Sequence, residues 1–99
     1  MEDRALNFLG LAYRARALVT GEDVVLQAVR KGKLRLVIMS EDASENTKKR
    51  FTDKCSYYDV PLVIKWTRQS IGNAIGKDER VVVGVEESGF AKKLKSLME

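Results

Sequence analysis

The run Leu34-Arg-Leu-Val-Ile-Met39 is the strongest constraint on how this 99-residue chain can fold. A nearly continuous apolar run of this length suits a strand covered on both faces, because a half-exposed strand would alternate apolar and polar positions. Helices must therefore lie on each side of its sheet, and the chain supplies them. Leu6, Leu9, Tyr13 and Ala17 fall at helical spacing, so residues 3 to 16 read as an amphipathic helix followed by a short strand at Leu18-Val19. Thr20-Gly-Glu-Asp23 has the form of a capping box, with a hydroxyl at the N-cap and an acid three residues on. It predicts a second helix with Val24, Val25, Ala28 and Val29 along one face, ended by Lys31-Gly32.

Asp42 with Glu45 repeats the capping signal ahead of a third helix over 44–59. Its core stripe is Thr47, Phe51, Cys55 and Tyr58, with Lys48, Lys49, Arg50 and Asp53 on the other side. Val60 to Trp66 reads as a strand whose proline sits at the start, where a missing donor is tolerated. A short helix over 68–75 closes at Gly76, Arg80 to Val85 is a further strand, and Phe90 to Met98 a terminal helix. Alternation of this kind predicts an α/β fold, a three-layer α-β-α sandwich around a mixed sheet of about four strands, with residues 1–99 as one domain. In open α/β sheets ligands bind where strand ends meet helix starts. That rule selects Thr20 to Asp23, Ser40 to Asp42 and Lys65 to Arg68, flanked by the turn from Gly76 to Arg80.

Composition narrows the chemistry. The chain has no histidine, which removes the commonest general base and every imidazole-based triad. It has no phosphate loop and no metal-ligand spacing, so the expectation is a non-enzyme with no cofactor, no metal and no small-molecule substrate. Cys55 is the single cysteine, the N-terminal MEDRALNFLG is interrupted by three charges, and no apolar run approaches a membrane span of about 20 residues. The reading is a cytoplasmic monomer without a membrane partner. Lys and Arg number 18 against 14 Asp and Glu, an excess that permits a nucleic-acid partner without requiring one.

Two clusters compete for a role. Glu22 and Asp23 would repel a phosphate at their helix start, yet carboxylates accept well from the amino and imino donors of guanine; service to the helix dipole alone is the other reading of the pair. Arg30, Lys31 and Lys33, with Arg35, Arg14 and Arg16, form the densest basic stretch, suited either to phosphates or to the negative end of a helix.

The order helix, T-G-E-D, helix ending in K-G, LRLVIMSEDA, helix, VPLVIKW, then SIGNAIG before RVVVGV resembles the kink-turn-binding ribosomal protein family named L-seven-Ae. The stretch from Leu9 to Glu22 is similar to that family's bacterial branch. The resemblance spans almost the whole chain and implies an RNA-binding protein of ribosomal-protein type, taking structured RNA, with ribosomal RNA among the candidates. The RNA site it implies is the start of the second helix and its neighbouring loops. Family members that read kink-turns carry Gly, any residue, Asn, Glu, and a Lys three residues on; here these positions hold Gly21, Glu22, Asp23, Val24 and Gln27. Ser40-Glu-Asp42 resembles the family's A-E-D turn, whereas Lys77-Asp-Glu-Arg80 stands where kink-turn readers have a short apolar segment. The expected RNA-contact set is therefore Gly21, Glu22, Asp23, Gln27, Arg30, Lys31, Lys33, Glu41, Asp42, Lys77 and Arg80. The alternative use of this fold is a protein-interaction module, with Glu22, Asp23, Glu41 and Asp42 as an acidic docking patch.

Overall fold

A computed structural model describes residues 3–99. The elements run α1 (Arg4–Arg14), β1 (Leu18–Thr20), α2 (Glu22–Arg30), β2 (Leu36–Met39), α3 (Glu45–Tyr57), β3 (Leu62–Ile64), α4 (Arg68–Ala74), β4 (Val82–Val85) and α5 (Ser88–Met98). The four strands form one sheet in the order β1-β4-β2-β3. β4 pairs antiparallel with both β1 and β2, and β2 pairs parallel with β3, so the sheet is mixed.

Alternation along the strands builds two cores. Leu36 and Ile38 of β2 join Val83 and Val85 of β4 on one face, under α1, α4 and α5; Val37, Met39 and Val82 face α2 and α3. All four residues of β2 are buried, as its unbroken apolar run requires, and helices cover both sheet faces in a three-layer α-β-α sandwich. Gly84 has a steric role: a Cβ there would stand 2.5 Å from Leu34 Cδ1, so its absence lets Leu34 lie across β4.

Two stripe residues differ from expectation. Val24 is 54% exposed, because the buried arc of α2 is completed by Val25, Ala28 and Val29 and leaves Val24 on the outer side. Tyr58 is the C-cap of α3, beyond the last turn that faces the sheet, and it is exposed.

Candidate nucleic-acid interface

β1, β2 and β3 all point the same way, so their C-terminal ends and the entry to β4 share one edge. Backbone hydrogen bonds join the turns there. Gly21 N–H donates to Val82 O at 3.3 Å, Ser40 N–H to Val81 O at 2.8 Å, Glu41 N–H to Trp66 O at 2.8 Å, and Arg80 N–H to Arg68 O at 3.0 Å. The segments selected from sequence thus converge.

Their local chemistry differs from the sequence reading at two caps. Thr20 is not an N-cap; it ends β1, paired with Val83, because the sheet ladder claims its backbone. Gly21 caps α2 instead, at φ 96°, a left-handed conformation that suits glycine, and it gives no side-chain cap. The other four helices are capped by the side chains of Asp3, Ser44, Thr67 and Glu87. The first amides of α2 therefore carry no capping side chain, and a Cβ on Gly21 would meet nothing within 4 Å, so the approach is open.

Glu22 and Asp23 follow in the first turn. Thr47 Oγ1 donates to Glu22 Oε1 at 2.9 Å and itself accepts from Ser44 Oγ at 3.0 Å, so α3 orients the Glu22 carboxylate. Asp23 is exposed. Asp42 does not cap α3, a role taken by Ser44; it accepts from Arg68 N–H at 3.0 Å and faces Arg68 Nε at 3.6 Å. The Arg68 guanidinium also donates to the Asp42 carbonyl oxygen. The Ser40 hydroxyl first, then the Arg68 N–H and guanidinium, hold the Asp42 carboxyl below its ordinary range against some desolvation. Ser40 Oγ is fully buried and meets no partner in strict hydrogen-bond geometry, so its contact with Asp42 is a loose one.

At the β3 end, Trp66 takes φ 65° and its Nε1–H donates to Asp3 Oδ2 at 2.8 Å. The indole is an anchor joining this edge to α1, not a free platform for a base. Desolvation raises the Asp3 pKa, but the N–H groups of Leu6, Trp66 and Ala5, with Lys65 nearby, outweigh it and leave the carboxyl below its ordinary value.

The turn before β4 is laid directly on α4, since a Cβ on Gly72 would stand 2.1 Å from Asp78 O. Lys77 Nζ lies 5.9 Å from the Tyr13 ring centroid, and the Arg80 guanidinium folds back onto Glu79 O at 2.9 Å and Asp78 O at 3.3 Å. Gly21, Glu22, Asp23, Glu41, Asp42, Lys77 and Arg80 are thus on or beside one edge. Arg30, Lys31 and Lys33 are not. They follow α2 to its far end, roughly 12 Å along the axis, where Lys33 N–H bonds Ala28 O and Arg35 N–H bonds Val85 O at the exit of β4. Gln27 lies between, exposed, in a shallow depression with Val24, Lys31 and Lys33.

Two contributors to this edge carry little signal in the sequence. Thr47 reads as a core residue on the Phe51 and Cys55 stripe, and only its spacing from Ser44 hints at a hydroxyl pair. Asp3 is visible only as the first residue of a helix. Among the described residues no cluster of three or more His, Cys, Asp or Glu could hold a metal ion, and no helix is long and apolar enough to cross a membrane. Burial pushes the Cys55 thiol up to about 11, which leaves it protonated and inert.

The chain belongs to the Ribosomal protein L7Ae/L30e/S12e/Gadd45 family, matching over residues 3–95. It is 52% identical over 91 residues to the RNA-binding protein YlxQ of Bacillus subtilis (strain 168), covering 92% of this chain and 91% of that one. It is 46% identical over 96 residues to the RNA-binding protein YlxQ of Enterococcus faecium, covering 97% and 92%. A solved structure of a protein with unknown function from Bacillus halodurans C superposes with TM-score 0.95 at 50% identity, covering 98% of each chain. A Giardia lamblia 15.5kD RNA binding protein shares the fold at TM-score 0.77 and 22% identity, over 93% of this chain and 85% of that one.

Proposed function

We propose that this chain is a small, non-catalytic RNA-binding protein that reads structured RNA, kink-turn-like or related, at the edge holding Gly21, Glu22, Asp23, Glu41, Asp42, Lys77 and Arg80. Family membership and relatives named as RNA-binding proteins support the class. The observation that carries the site is the uncapped α2 start: open amides beside a carboxylate that Thr47 holds in place. Donors and acceptors fixed at one spot suit base edges, and the Glu22 oxygen not engaged by Thr47 is the acceptor for guanine. Asp23 and Val24 in place of Asn and Glu, and charged Lys77 to Arg80 in place of an apolar segment, favour an internal loop that departs from the strict kink-turn. The protein works as a cytoplasmic monomer, with ribosomal RNA among its partners. An acidic docking patch for a protein is the weaker reading, because Asp42 is engaged by Arg68 and the similar proteins are named as RNA-binding.

The test is binding to a panel of structured RNAs, with and without a kink-turn, across a salt series. Affinity should fall steeply with salt and should favour RNAs with an internal loop. Absent binding, or a flat salt response, rejects the reading.

A further inference from the structure

The charge of the molecule is divided between its two edges. In the turns of the edge described above, Glu22, Asp23, Glu41, Asp42, Asp78 and Glu79 outnumber Lys65, Arg68, Lys77 and Arg80, so the phosphate contacts behind a steep salt dependence must come largely from outside it. The opposite edge is basic. Two turns reach it on either side of the β4 exit: Glu86 N–H bonds Ala17 O, and Arg35 N–H bonds Val85 O. They bring up Arg16, Arg30, Lys31, Lys33 and Arg35, all exposed, and neither ion pair found among the described residues involves any of them. Arg30, Lys31 and Lys33 stand at the negative end of α2 and Arg16 just past that of α1, but Arg35 lies well beyond either, so helix dipoles do not account for the whole cluster. The acids at this edge are Glu86, half-buried beside Lys31 and Lys33; Asp59; and Glu87, whose carboxylate is occupied by the Gly89 and Phe90 N–H groups.

The same edge carries a second kind of group. α3 packs beside α2 and ends here at Tyr57, which is 81% exposed with Tyr58 set edge-on against it at 4.9 Å. Packed helix axes are about 8–10 Å apart, so the C-terminal ends of α2 and α3 lie within reach of one short strand of nucleotides. Cations that follow a backbone beside an exposed aromatic match single-stranded nucleic acid better than an acidic protein, which would leave the ring unused.

We propose that Arg16, Arg30, Lys31, Lys33 and Arg35 with Tyr57 form a second RNA-contact surface that holds a single-stranded segment without sequence preference. It rests on the RNA-binding reading above and adds a second contact on the far side of the sheet. The experiment measures binding of a 12-nucleotide oligouridylate, which has no internal loop, alongside an internal-loop RNA. Charge reversal at Arg30→Glu, Lys31→Glu and Lys33→Glu should weaken oligouridylate at least about tenfold and flatten its log–log salt slope by roughly 2, at about 0.7 for each phosphate no longer neutralised. Tyr57→Ala should weaken it at least about fivefold with the slope unchanged. Lys31→Gln, Lys33→Gln and Arg35→Gln serve as a milder set should the reversals unfold the protein, with folding followed by circular dichroism. Unchanged oligouridylate affinity in these variants, or no oligouridylate binding by the parent protein, overturns the proposal; if the internal-loop RNA still binds, the reading above stands. A parent protein that binds neither RNA overturns both.

Discussion

Thr47 Oγ1 and Glu22 Oε1 lie 2.9 Å apart, joining α3 to the first turn of α2 across 25 positions of sequence. This bond fixes a carboxylate that would otherwise sweep through solvent beside the open amides of α2. Thr47→Val keeps the side-chain shape and removes the donor. The variant should lose about 1 kcal/mol of stability, seen in urea unfolding, and should discriminate less between guanine and adenine in a bound internal loop. Retained discrimination would mean that Glu22 does not read the base.

Gln27→Lys should strengthen binding of internal-loop RNA several-fold and steepen its salt dependence by roughly 0.7–0.9 in log–log slope, the signature of one added phosphate contact. Titration at three salt concentrations checks this. An unchanged slope would mean that position 27 does not face phosphate.

Asp3 makes acid stability a test of the tie to Trp66. Its folded pKa lies below the ordinary 3.8, so the stabilisation is present above that value and is lost as pH falls through the lowered one. Asp3→Asn should therefore show a smaller drop in unfolding free energy between about pH 6 and pH 3 than the parent protein. Equal drops in the two proteins would show that this carboxylate contributes no net pH dependence.

Gly72→Ala places a Cβ against the Asp78 carbonyl, a rigid backbone group 2.1 Å away, and the turn carrying Lys77 and Arg80 must lift. Destabilisation of about 1–3 kcal/mol is expected by chemical denaturation. A neutral substitution would contradict the packing of this turn.

Cys55 should resist thiol reagents in the native state. With its thiol at about 11, only about a thousandth is thiolate at pH 8, and burial blocks access besides. Labelling should appear only on unfolding, so its rate reports global opening. Rapid labelling of the folded protein would contradict the buried placement.

The sheet was legible because burial on both faces leaves a mark in sequence. Leu34 to Met39 could be little else than a central strand, and Phe51 and Cys55 marked the inner face of α3. Caps were less legible, since Thr20 and Asp42 have the chemistry of a cap wherever they stand. What decided against them was distant: the β4 ladder held Thr20, and Arg68, 26 residues on, drew Asp42 away from α3. The candidate site was legible as a set of turns but not as one surface. Arg30, Lys31 and Lys33 share a short stretch of sequence with Glu22 and Asp23, and nine helical residues are enough to carry them to the opposite edge.

The sheet order also sets a timetable for synthesis. Every partner of β1 lies in β4, more than sixty residues later, and β1 and β2 meet only through that strand. A nascent chain that has emerged as far as α4 can pair β2 with β3 but leaves β1 unjoined and β2 open along one side. Such distant pairing slows folding and exposes strand edges in the interval. The sheet is joined only when Val82 to Val85 slides between strands made long before.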